Sequence, residues 1–124
     1  MKIVIEFPFP PVAKERARVT RFGAYTPART KEFQRQIQSY ARQWVTKKPF
    51  EGPLKLQCDF YLSRPKKPKF SYPATRPDID NYLKAIMDSL NGIIWKDDSL
   101  IVDIRSSKHY TAESPNILLI VEEI

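Results

Sequence analysis

The sequence predicts a small mixed α/β (α+β) domain, a β-sheet of about four strands with two helices packed on it in the order βαβαββ. Three observations predict it. Stretches of period two alternate with stretches of helical period and never repeat. Clusters of proline and glycine separate them. The 124 residues suffice for one domain, spanning 1–124, with about two-thirds of the unfolded surface buried.

Each element has a local reason. Residues 2–7 run apolar through Ile3, Val4, Ile5 and Phe7 and read as a strand, ended by Pro8, Pro10 and Pro11. Thr26-Pro27 has the form of a helix start, with Thr26 as N-cap and Pro27 at the first helical position. Phe33, Ile37, Tyr40, Ala41 and Trp44 then recur at helical spacing, so 27–46 reads as an amphipathic helix with this stripe in the core. Leu54, Leu56, Cys58, Phe60 and Leu62 alternate with polar residues and define a strand over 54–62. Cys58 reads as a small buried hydrophobe. Residues 78–91 give a second helix, with Ile79, Leu83, Ile86 and Leu90 on the core face and Asn91-Gly92 as its stop. Residues 99–108 and Ile117 to Val121 read as the last two strands.

Composition narrows the chemistry. No run of ~18 apolar residues is present, so no membrane span is expected. The N-terminal apolar run is too short for a signal peptide. One Cys and one His leave no internal disulfide and no Cys/His zinc cage, and a reducing, cytoplasmic setting is the default. The single histidine, His109, reads as structural, and Asp103 as solvent-facing.

Charge is divided along the chain. Residues 1–77 carry 17 basic and 5 acidic side chains, a net of +12; residues 78–124 carry 4 basic and 9 acidic, a net of −5. Together they give the overall +7, which favours an anionic partner. Residues 12–26 interleave Lys14, Arg16, Arg18 and Arg21 with Phe22 and Tyr25. That pattern suits backbone tracking and base stacking, or equally a solvated loop or β-hairpin. Arg29 follows on the first helix. Residues 63–77 hold four prolines with Arg64, Lys66, Lys67, Lys69 and Arg76, an extended cationic loop that leads directly into an acidic motif.

That motif is Asp78-Ile79-Asp80-Asn81, answered by Asp97-Asp98 after the second helix. A cap and the helix dipole would explain one Asp each at 78 and 80. They do not explain the second pair. The segment 93–98 is expected to run extended back along the ~20 Å helix and carry Asp98 toward Asp78 and Asp80. Close carboxylates repel unless a cation sits among them. All-oxygen ligands select Mg²⁺, with Mn²⁺ as a possible substitute, and such an ion serves phosphodiester hydrolysis. Lys84 lies four residues after Asp80 on the same helical face. It reads either as an ion-pair partner or as a stabiliser of charge on the phosphate. Asp88 reads as structural, and Asp97 is ambiguous beside Asp98.

The run Arg76-Pro-Asp-Ile-Asp-Asn-Tyr-Leu-Lys-Ala-Ile-Met-Asp-Ser-Leu-Asn-Gly92, then Trp95-Lys-Asp-Asp-Ser-Leu-Ile-Val102, resembles the RusA family of Holliday junction resolvases. The family pattern D-x-D-N-x-x-K-x-x-x-D-x-L, followed by an aromatic and D-D, is matched at each position. The resemblance implies a small α/β endonuclease that acts as a homodimer on four-way junction DNA in recombination and repair. It implies magnesium held by Asp78, Asp80 and Asp98, with Lys84 as the catalytic lysine. The alternatives are a non-catalytic DNA- or RNA-binding module, or a nuclease of another family.

Overall fold

The strict alternation over residues 54–62 fixes the centre of the molecule. Leu54, Leu56, Cys58 and Phe60 are fully buried on one face of a strand, and each such aliphatic or aromatic side chain contributes roughly 1.5–3 kcal/mol. The structure, a computed structural model, describes residues 1–15, 18–25 and 27–124. The side chains of Arg18 and Tyr25 also fall outside that description. So do the expected N-cap Thr26 and the expected DNA-contacting Arg16.

The elements are β1 (Lys2–Phe7), β2 (Arg18–Thr20), β3 (Gly23–Tyr25), α1 (Ala28–Trp44), β4 (Leu54–Ser63), α2 (Ile79–Ser89), a short 3-10 helix (Asp98–Leu100), β5 (Ile101–Thr111) and β6 (Asn116–Glu123). Four strands form one mixed sheet in the order β1-β6-β4-β5. The β1–β6 and β6–β4 pairs are antiparallel, and β4–β5 is parallel. The parallel pair requires a crossover, and α2 supplies it. The stretch 12–26, for which a loop or hairpin was expected, contains the hairpin β2–β3, a second small sheet.

Helices α1 and α2 pack together against one face of the sheet. Phe33, Ile37 and Ala41 from α1 meet Tyr82, Ala85, Ile86 and Leu90 of α2, and Phe7, Leu119 and Val121 of the sheet. The apolar stripe of α1 is core as expected, except that its last member, Trp44, is exposed where the helix ends. Cys58 is fully buried, and burial pushes its thiol well above the ordinary range. No helix among the described residues is long and apolar enough to cross a membrane.

Register defines two ends. Leu54 pairs with Ile101 at the end where β4 begins, and Ser63 with Thr111 at the end where it finishes. Strand β5 is longer than its pattern suggested, reaching Thr111, and starts two residues later because Asp98–Leu100 coils first. It is also a sheet edge. Val102 and Ile104 on it are 64% and 42% exposed.

Candidate nuclease site

The N-terminus of α2 stands at the end where β4 finishes. Pro77 disfavours helical backbone before it, and Asp78 is extended at φ −71°, ψ 150° as the flanking residue. The backbone of Asp78 caps the helix: its carbonyl accepts from the N–H groups of Asn81 at 3.1 Å and Tyr82 at 3.4 Å. Its side chain makes no capping hydrogen bond. Asp80 lies in the first turn. Both residues are exposed, and among the described residues neither carboxylate is in an ion pair. Capping therefore does not consume the Asp78 side chain, and two carboxylates sit free on one turn.

That turn is pinned from three sides. The Tyr82 ring lies 5.4 Å from that of Phe60 on β4. The Lys14 N–H donates to the Asn81 carbonyl at 3.0 Å, which holds the segment before the hairpin alongside the turn. Lys108 on β5 donates to the carbonyls of Thr75 at 3.0 Å and Pro77 at 3.1 Å.

Lys84 projects from the same helix with an exposed side chain, 4.0 Å from Asp88. Asp88 also pairs with the ammonium of Lys14, which gives it the structural role expected of it.

The second acidic pair resolves into two roles. Asp97 accepts from the Ser99 N–H at 3.1 Å and caps the 3-10 helix. Hydrogen bonds from Ser99, side chain first and then backbone, hold its carboxyl below the usual carboxylate range. Asp98 opens the 3-10 helix. The expected return of residues 93–98 along α2 does not occur. The Gly92 N–H bonds the Trp95 carbonyl at 2.7 Å, and Phe50 exchanges backbone hydrogen bonds with Ile94 and Lys96. The segment is thus a closed turn locked to the far end of the sheet, with Trp95 fully buried. Asp98 precedes Ile101, whereas Pro77 is tied to Lys108. Seven strand steps between those two positions span about 23 Å. The structure brings Asp78 and Asp80 together and leaves Asp98 at the other end of β5. Among the described residues, no group of three or more His, Cys, Asp or Glu is close enough to hold a metal ion.

The expected DNA-facing cations Arg21, Arg29, Arg64, Lys66, Lys67, Lys69 and Arg76 are all exposed. Lys69 lies 5.6 Å over the Phe70 ring, and Arg21 4.9 Å over that of Phe22.

One cluster and one lysine had escaped the sequence. Asp59, on the polar register of β4, is only 7% exposed. It accepts from the Gln57 amide at 2.9 Å and from the Ser107 hydroxyl at 2.5 Å. Ser107 lies 2.7 Å from His109 Nε2. The His109 ring stacks on Tyr61 at 5.1 Å and meets Tyr72 of the basic loop at 5.7 Å. This chain and Lys108 tie the loop to β5 on its two faces. Neither has a sequence signal, because the partners are 31 to 48 residues apart.

Residues 8–122 match the family described as Endodeoxyribonuclease RusA. The chain belongs to that family. The match runs from just after β1 into β6, so it takes in both helices and the β4, β5 and β6 strands of the mixed sheet. The chain is also similar to a protein of Bacillus subtilis (strain 168) that carries the name "Uncharacterized protein YqaN". The two are 33% identical over 110 residues, covering 79% of this chain and 77% of the relative.

Proposed function

We propose that this RusA-family chain is a Mg²⁺-dependent endonuclease that resolves four-way DNA junctions in recombination and repair, working as a homodimer in the cytoplasm. The observation that carries the reading is the first turn of α2. It holds two exposed carboxylates, one at a cap position whose side chain does not cap, beside an exposed lysine and at the end of a cationic loop.

Asp78 and Asp80 of one copy, with Asp98 of a second, would form an all-oxygen donor set that fits a hard divalent cation. Bound there, Mg²⁺, or Mn²⁺ in its place, would supply a Lewis acid and a water of lowered pKa. Lys84 stabilises charge on the phosphate undergoing attack. Arg16, Arg18, Arg21, Arg29, Arg64, Lys66, Lys67, Lys69 and Arg76 hold the strands by their phosphates, so recognition follows shape and charge rather than base edges.

The distance between Asp98 and the first turn of α2 gives the homodimer a reason. Among the described residues the outer edge of β5 pairs with no strand, beside the exposed Val102 and Ile104, and such edges are templates for pairing. Antiparallel pairing of two copies of β5 about a two-fold axis sets the start of one strand beside the end of the other. Asp98 of a second copy then approaches Asp78 and Asp80 of the first. Two such sites on one axis suit two symmetric cuts.

The test is an end-labelled four-way junction incubated with the protein in Mg²⁺ and in EDTA. Paired nicks that need the metal are expected. Tight binding without nicking under both conditions would overturn the reading in favour of a non-catalytic DNA-binding module.

A further inference from the structure

The hairpin β2–β3 presents an apolar blade that none of the described residues covers. Phe22 is 87% exposed and Val19 82% exposed. An aromatic side chain this bare, on a basic surface, offers a flat face on which a base can stack. The turn is braced rather than loose. The Thr20 hydroxyl donates to the Gly23 carbonyl at 3.2 Å and accepts from the Phe22 N–H at 3.2 Å. Gly23 takes φ +114°, which an L side chain rarely adopts. The ring is therefore held out at the tip, with the guanidinium of Arg21 over its face.

The segment Lys14–Glu15, ahead of the hairpin, is fixed beside the candidate site. Lys14 is tied to Asn81 by its backbone and to Asp88 by its side chain. The Glu15 N–H reaches the Thr30 hydroxyl of α1 at 3.4 Å. The chain ahead of the hairpin thus lies between the first turn of α2 and the start of α1, where Arg29 and Lys31 are exposed. Charge decides the occupant. A cationic surround with an aromatic tip suits a polyanion whose stacked bases can be parted, and side chains such as Phe enter base steps as wedges.

We infer that Phe22 is a wedge that inserts between bases at the branch point of a DNA junction, with Arg21 on the adjoining phosphate. This rests on the proposed junction-cutting function and adds the element that separates branched DNA from continuous duplex. At a branch point stacking is already interrupted, so the unstacking cost borne by an unbroken duplex is largely absent. The wedge therefore selects structure with no base readout.

The experiment uses four-way junctions with 2-aminopurine at the branch point or within an arm, in EDTA so that binding is read without cutting. Wild-type protein at saturation is expected to raise fluorescence at the branch position only. Phe22→Ala is expected to abolish the rise and weaken junction binding by about 5- to 150-fold, the range for loss of one stacked base. Phe22→Trp is expected to restore both. Circular dichroism checks that the fold of each variant is intact. An undiminished rise with Phe22→Ala, or no rise with wild type at saturation, overturns the wedge. The two readings fail separately. A Phe22-dependent rise in a protein that never nicks in Mg²⁺ keeps the wedge and removes the nuclease; nicking without a rise does the reverse.

Discussion

The ammonium of Lys108 donates to the carbonyl of Pro77 at 3.1 Å, directly ahead of Asp78. A lysine on the edge strand thus ties down the last residue of the cationic loop where the loop becomes the acidic turn. Its second bond, to Thr75, makes the tether bidentate.

Replacing Lys108 by Met keeps the aliphatic stem and removes both bonds. Charge-assisted hydrogen bonds are worth roughly 1.5–3 kcal/mol, and small displacements of reacting groups are costly. Single-turnover junction cleavage is expected to fall about 10-fold or more, with junction affinity changed far less. A wild-type rate would remove Lys108 from the positioning of the turn.

If Asp98 serves the site of a second copy, two dead variants must rescue one another. Asp80→Asn and Asp98→Asn each disable both sites of a homodimer. Their mixed dimer pairs the intact Asp80 of one chain with the intact Asp98 of the other and regains one working site. Mixing them is expected to restore nicking of one strand without paired cuts. Continued silence after confirmed subunit exchange would place all three aspartates within one chain.

Each phosphate that a side chain neutralises adds about one unit to the slope of the salt dependence of DNA binding. The triple change of Lys66, Lys67 and Lys69 to Ala is expected to reduce the slope of log affinity against log salt by about 3. An unchanged slope, measured on junction DNA over 50 to 200 mM salt, would mean that this loop faces away from the backbone.

Asp59 is buried with two donors aimed at it. Asp59→Ala leaves the Ser107 hydroxyl and Gln57 amide without their acceptor, at a cost of roughly 1–3 kcal/mol. Thermal unfolding should show the destabilisation, and Ser107→Ala should show a smaller one. Equal stability of Asp59→Ala and wild type would mean that water replaces the carboxylate freely.

Ser99 lowers the pKa of Asp97, so the folded state favours the ionised form. That stabilisation is present above the ordinary value of 3.8 and is lost as the pH falls through the lower folded value. Asp97→Asn is therefore expected to melt slightly below wild type at neutral pH, with the difference vanishing as the pH falls through the acid limb. The group is fully exposed, so the effect is small.

Much of the fold is legible in the residues themselves. The alternation in β4 and the stripes of α1 and α2 fix the sheet, the helices and the buried face, because burial imposes those periods directly. The D-x-D turn is legible for the same local reason, since neighbours in one turn must share it. The place of Asp98 is not, because the reach of a six-residue segment says nothing about its direction. The exchange of backbone bonds between Phe50 and residues 94–96 decides that direction, and those partners are remote in sequence. Asp59 reads as a solvent-facing residue by period alone; only the register of β4 against β5 shows Ser107 opposite it.

The stacking of His109 on Tyr61, with Tyr72 tilted against the same ring, has a practical consequence. The chain contains one imidazole, so its ring protons give unique NMR resonances, shifted by the currents of the two phenol rings. Any event that lifts the cationic loop from the sheet removes one of those currents, and a single pair of peaks reports loop departure without labelling the protein.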